Sequence, residues 1–118
     1  MLVADISEPD IITTVLKAKL GSDCTITDLP VSDYNWRARN GDFIGIERKS
    51  MQDLHNCIAD GTLVDQLRRL IPAVTVPYLL IEGQYDVNFD GNMVIETKDK
   101  RGLREMTPTK WRWSSVWD

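Results

Sequence analysis

Two acids and a lysine, Asp33, Glu47 and Lys49, are the residues of this chain best suited to do chemistry together. The segment Phe43-Ile44-Gly45-Ile46-Glu47-Arg48-Lys49 reads as a strand, and strand side chains alternate faces. Glu47 and Lys49 therefore point one way and Arg48 the other. Oxygen donors of this kind suit Mg²⁺ or Mn²⁺, since Mg²⁺ keeps several waters and needs only one or two protein carboxylates. Such a cation neutralises a phosphodiester and activates water near neutral pH. Asp33 and Glu47 would be the ligands. The backbone carbonyl of Arg48, between Glu47 and Lys49, could be a further one. Lys49 would orient the water or stabilise negative charge in the transition state. Taken alone the triple is a weak signal, because the same residues also read as ordinary surface charges.

The surrounding pattern supplies elements to hold these groups. Leu2 to Ile6 is a short apolar run, read as a buried strand. Pro9 suits the first turn of a helix. Ile11, Ile12, Val15, Leu16 and Leu20 recur at helical spacing, and Gly21 stops that helix. Cys24 to Leu29 alternates as a second strand, and Tyr34 to Ala38 reads as a third. Asn40-Gly41-Asp42 joins the third to the Phe43–Lys49 strand as a hairpin. Ser50 and Asp53 form a Ser-x-x-Asp start for a helix bearing Met51, Leu54 and Ile58. Asp60-Gly61 breaks it. Thr62 and Asp65 start another helix, with Leu63, Leu67 and Leu70 as its stripe and Pro72 as its end. Gln66 sits at the edge of that stripe. A buried amide there needs partners, with the backbone near Glu47 a candidate, and an exposed glutamine is the other reading. Pro77 to Gly83 reads as a central buried strand, and residues 84–98 as a hairpin insertion around Asp90-Gly91-Asn92. This order predicts one α/β domain with a mixed sheet flanked by helices.

At 118 residues the chain is long enough for a real core, and 27% charged residues argue against disorder. The net charge of -4 does not mark a nucleic-acid binder. Lys98, Lys100 and Arg101, followed by Arg104, Lys110 and Arg112, nonetheless make a locally basic segment that could meet DNA phosphates. A solvated loop is the alternative. No apolar run reaches the ~18 residues of a membrane span, and the start lacks a signal-peptide pattern. An intracellular protein with no membrane partner, in cytoplasm or nucleus, is expected. Cys24 and Cys57 have no metal-ligand spacing and read as reduced, buried thiols. His55, the only histidine, reads as a surface residue. Trp111, Trp113, Val116 and Trp117 crowd the end. That apolar face needs a cover, either a further helix and strand or a partner. Stacking of Trp111 and Trp113 on unpaired bases is a lesser alternative.

These residues resemble the nuclease domain of the XPF family of structure-specific DNA endonucleases, in the restriction-endonuclease-like group. The family pattern is Gly-Asp, a gap, Glu-Arg-Lys, three residues, then Asp. Asp33, Glu47-Arg48-Lys49 and Asp53 fill it. Asp5-x-x-Glu8-Pro9 stands where the family has Asp-x-Arg-Glu-Pro. Ile58-Ala59-Asp60-Gly61-Thr62-Leu63 with Gln66 and Arg69 is similar to the family's Ile-x-Asp-Gly-Arg segment and its downstream Gln. The likeness runs from about Leu2 to Gly83.

The resemblance implies a three-layer α/β/α fold and a Mg²⁺- or Mn²⁺-dependent endonuclease that cuts branched or flap DNA. It makes Asp33 and Glu47 metal ligands and Lys49 the catalytic lysine. Asp5 and Glu8 would reach the site from the first strand, Glu8 holding a second metal or a bound water. Arg48 would brace neighbouring helices. Asp53 would cap its helix or support the metal. A homo- or heterodimer through the nuclease domain is implied. Two departures stand out, Ser7 for the family's Arg and Ser32 for its Gly. Ser32 matters if its backbone needs a positive φ. A non-catalytic DNA-binding or scaffold subunit, and a hydrolase of RNA or Holliday junctions, remain alternatives.

Overall fold

The computed structural model describes residues 1–112 and divides into two compact units. The first comprises Met1–Arg48 and Thr62–Leu80; the second comprises Lys49–Gly61 and the chain from Ile81 onward.

The first unit is built on strands β1 (Leu2–Asp5), β2 (Cys24–Thr27), β3 (Tyr34–Arg37), β4 (Phe43–Ser50) and β5 (Val76–Glu82). They form a mixed sheet in the order β2-β1-β3-β4-β5. β1 and β2 are parallel, from Leu2↔Cys24 to Asp5↔Thr27. Parallel neighbours need a crossover, and helix α1 (Asp10–Leu20) provides it. Pro9 sits at its entry with φ -56°, and Gly21 closes it at φ 56°. The apolar stripe of α1 is only partly covered: Ile11 is 76% exposed, while Thr13 is the buried residue of the helix.

The β3–β4 pair is the expected antiparallel hairpin, with Arg37↔Phe43 next to the turn. Gly41 takes φ 91° there, which favours glycine. Ala4, Cys24, Tyr34 and Leu70 form the buried core of this unit. Leu70 lies on helix α3 (Thr62–Ala73). Gly45 lets this helix approach β4: a Cβ there would lie 2.7 Å from Val74 Cγ1 and 3.3 Å from Leu70 Cδ1.

Two expectations are corrected. Pro72 does not end α3, which runs on to Ala73; a proline in the last turn removes only one late hydrogen bond. The Pro77–Gly83 segment is not a central buried strand. β5 is at the edge of the sheet, with Tyr78 and Leu80 about half exposed. An apolar run shows strand propensity, but burial depends on what packs against it.

In the second unit, helix α2 (Met51–Asp60) packs against a three-stranded antiparallel sheet. Ser50 caps α2 by accepting the Asp53 N–H at 3.1 Å, as its sequence suggests. The sheet runs β6-β7-β8, with β6 Tyr85–Val87, β7 Asn92–Lys98 and β8 Arg104–Arg112. Met51, Leu54, Met93 and Ile95 are its buried apolar residues. Residues 84–98 form the expected hairpin, but β8 was not foreseen. Its Thr107, Thr109 and Trp111 are half-buried while the residues between them are exposed. Thr109 Oγ1 donates to the Met93 carbonyl at 2.8 Å. Pro108 sits opposite Val94 beside a break in the ladder, a place where a missing N–H is tolerated. His55 is not a bare surface residue, because its ring lies 4.5 Å from that of Trp111. Trp113, Val116 and Trp117 lie outside the described residues. Both cysteines are free thiols, Cys24 buried and Cys57 only partly so. Among the described residues, no helix is long and apolar enough to cross a membrane.

Candidate active site

Asp33 is placed by the backbone on both sides of it. Its N–H donates to the Ile46 carbonyl at 2.8 Å, and its carbonyl accepts the Asp5 N–H at 2.8 Å. Its carboxylate Oδ2 accepts the Arg48 N–H at 2.7 Å. The residue before it, Ser32, is buried with φ 71°. Ser32 is the non-glycine residue with positive φ among the described residues. The position where the family pattern has glycine therefore does use the left-handed region.

Asp33, Glu47 and Asp5 line one cavity of ≈ 160 Å³ with Ser32, Gln66 and Arg69. Burial pushes the Asp33 carboxyl up to about 6. The negative charges of Glu47 and Glu8, and a hydrogen bond with Glu8, push the same way against the Arg48 N–H. Asp5 is held differently. Its carboxylate accepts from the Ser7 hydroxyl and from the Leu29 N–H at 2.8 Å. The Ser7 hydroxyl, then the Leu29 N–H, hold its carboxyl below the usual aspartate range. Ser7, which replaces the family's arginine, thus ties down an acid at the cavity.

Glu8 is not on the cavity wall. Its Oε2 accepts from Tyr34 Oη at 2.7 Å and from Arg48 Nε at 2.7 Å. Burial and this bond to Glu8 raise the Tyr34 phenol above its usual range. Arg48 thus braces the turn after β1, and its fork suits that carboxylate. Sequence reasoning missed Tyr34. Its signal was a phenol on the strand after Asp33, because a buried Tyr hydroxyl needs a partner.

Gln66 has its Oε1 buried with no hydrogen-bond partner. The backbone near Glu47, one of the candidate partners, does not supply one. Lys49, at the end of β4, groups with the second unit and is 8% exposed. Asp53 meets the Ser50 cap through its backbone N–H. In the same unit, Lys98 and Lys100 are exposed. Arg101 is drawn onto Asp99 at 3.1 Å, and Arg104 onto Glu96 at 3.1 Å.

No group of three or more His, Cys, Asp or Glu side chains among the described residues is arranged to hold a metal. Two clustered carboxylates still fit a hard cation that retains water. The repulsion that raises Asp33 is the charge such a cation would offset.

The mixed sheet with its helices defines a restriction-endonuclease-like α/β fold. Residues 5–110 match the family model of the ERCC4 domain, and the chain belongs to that family. It is 37% identical over 73 residues to the 3′-flap repair endonuclease Xpf of Saccharolobus solfataricus. That match covers 62% of this chain and 29% of the archaeal protein, so the chain spans less than a third of that relative. The solved structure of XPF from Aeropyrum pernix superposes with a TM-score of 0.54 at 24% identity. The match covers 75% of this chain and 42% of that one.

Proposed function

We propose that this chain is a Mg²⁺- or Mn²⁺-dependent DNA endonuclease acting on branched or flap DNA. The observation that carries the reading is the meeting of Asp33 and Glu47 at one cavity in an ERCC4-family chain. Those carboxylates would hold the cation, with the Arg48 carbonyl as a further donor. When bound, it would supply charge neutralisation at the scissile phosphate and an activated water. The residues of the chain do the rest. Asp33 keeps its place through backbone bonds to two strands, and Asp5 and Glu8 are fixed by their own partners. Lys49, two residues beyond Glu47 on β4, would orient the water or stabilise the pentavalent charge. Pairing with a second nuclease domain belongs to the same reading. Exposed Val87, Phe89 and Met106, which line an apolar hollow in the second unit, would suit a protein partner.

The test uses labelled flap, fork, Holliday-junction and plain duplex DNA with Mg²⁺, Mn²⁺ or EDTA, beside Lys49→Ala and Asp33→Asn. Metal-dependent cutting of branched DNA, reduced at least about 100-fold by each substitution, is the expected result. Cutting that survives both substitutions refutes the site.

A second reading, a non-catalytic DNA-binding or scaffold subunit, draws on the lack of a cluster of three metal-binding side chains among the described residues. It predicts no Mn²⁺ binding by calorimetry and no cutting by folded wild type.

A further inference from the structure

Asp33 and Glu47 are not neighbours in the chain, so the structure between them must set their spacing. The β3–β4 ladder runs from Arg37↔Phe43 to Tyr34↔Ile46. Asp33 precedes Tyr34 and Glu47 follows Ile46, so both acids stand just past the last pair. Tyr34 is opposite Ile46, and residues two apart on a strand share a face. The Tyr34 and Arg48 side chains therefore lie together on the face opposite Glu47. There both end on one atom. Glu8 Oε2 accepts from Tyr34 Oη and from Arg48 Nε, each at 2.7 Å. Tyr34 follows Asp33 and Arg48 follows Glu47, so one carboxylate holds the immediate neighbour of each acid. Glu8 is itself tied to the end of β1, its N–H donating to the Asp5 carbonyl at 3.1 Å. Tyr34 is 6% exposed and the Glu8 side chain 5%, and bonds shielded from water are stronger than exposed ones.

We infer that Glu8 and Tyr34 form a clamp that sets the spacing of Asp33 and Glu47, and that both are positioning residues for the cation site. The role rests on the metal-dependent reading above. Neither residue lines the cavity. Tyr34 acts by fixing the Glu8 carboxylate, and Glu8 by fixing Arg48, whose N–H donates to Asp33 Oδ2 at 2.7 Å. Mg²⁺ demands near-ideal octahedral geometry, so a small drift between the two acids weakens its binding. Loss of such outer supports typically costs roughly 10–100-fold in metal affinity.

The test compares Tyr34→Phe and Cys24→Ala with wild type. Tyr34→Phe removes the hydroxyl and keeps the ring in the core. Cys24→Ala opens the buried core of the same unit on β2 without touching the clamp. Each protein is measured for melting midpoint, for Mn²⁺ binding by calorimetry, and for amide exchange at Asp33 and Arg48 in EDTA. Tyr34→Phe should weaken Mn²⁺ binding by about 10-fold or more. It should also speed exchange of the Arg48 amide relative to that of Asp33, whose bond goes to the Ile46 carbonyl. Cys24→Ala should move the two amides together and leave Mn²⁺ binding unchanged. In cutting assays, Tyr34→Phe should need more Mn²⁺ for half-maximal rate, with the rate at saturating Mn²⁺ within a few-fold of wild type.

Equal Mn²⁺ affinity in Tyr34→Phe and wild type would overturn the clamp, whatever the melting midpoints. An equal loss of affinity in Cys24→Ala would also overturn it, because any loosening of the core would then suffice. Wild type that binds no Mn²⁺, while Tyr34→Phe frees the Arg48 amide, would refute the metal reading and leave the clamp standing as the fixture of Asp33. An Arg48 amide indifferent to Tyr34→Phe would overturn the clamp whether or not Mn²⁺ binds.

Discussion

Replacing Ser32 by glycine should stabilise this protein, and replacing it by alanine should not. Ser32 is held at φ 71°, where an L-residue pays roughly 1–2 kcal/mol for its Cβ. Glycine escapes that cost but loses about 0.4–1 kcal/mol through the greater freedom of its unfolded chain. The serine hydroxyl contributes little, because its contact with Asn35 Nδ2 is 3.5 Å long and thus weak. The net expectation is that Ser32→Gly is more stable than Ser32→Ala by about 0.5–1 kcal/mol, the reverse of the usual order of these residues. For a chain of this size that is a midpoint difference of about 2–4 °C. Urea unfolding of the three proteins in the same buffer, with equal m-values, measures it. A Ser32→Ala protein as stable as Ser32→Gly would show that the backbone strain argued from φ is not there.

Other consequences are as direct. Gly45→Ala puts a Cβ 2.7 Å from Val74 Cγ1 and should destabilise by about 1–3 kcal/mol, read by the same urea titration; a neutral result would mean that α3 shifts freely. Glu8→Ala removes the acceptor of both Arg48 Nε and Tyr34 Oη and should cost about 3 kcal/mol, because a charge-assisted bond and the acceptor of a buried phenol are lost together; Glu8→Gln should cost less. Asp33 supplies a pH test in EDTA. Its folded carboxyl holds its proton up to about pH 6, against the ordinary aspartate value of 3.8 in the unfolded chain. The folded state therefore binds more protons in this window, and its contribution to stability is lost as pH rises through about 6. The stability of Asp33→Asn relative to wild type should thus grow between pH 4.5 and 7.5, by on the order of 1 kcal/mol for so partly exposed a group. A difference constant with pH would refute the shift.

What the sequence revealed depended on how local the signal was. The Asn40-Gly41-Asp42 hairpin, the Ser50 cap and the closing Gly21 and Gly61 each rest on a few adjacent residues, and each was legible. The Asp33–Glu47 meeting was legible through motif and strand alternation. β8 escaped because its inward positions are threonines and because Pro108 stands in its middle. Its period-two pattern was present, but polar side chains concealed it. β5 misled in the opposite sense, since Tyr78 and Leu80 look like core residues and lie exposed at an edge. The Glu8–Tyr34–Arg48 cluster joins side chains far apart in sequence, and no spacing rule reaches that far. The orphan oxygen of Gln66 is a property of the folded cavity and could not be read from one helix.

The double backbone anchorage of Asp33 carries a consequence for how the site fails. A catalytic acid on a free loop can fray while the rest of a protein stays folded. Here the amide of Asp33 is bonded to β4 and its carbonyl to the end of β1. The backbone that carries the carboxylate cannot leave its place without breaking bonds to two strands of the sheet. Its amide hydrogen should exchange with solvent only as slowly as the sheet's own amides do. On warming, the backbone placement of this acid and the global structure should be lost in one step, with no folded intermediate in which Asp33 alone has come loose.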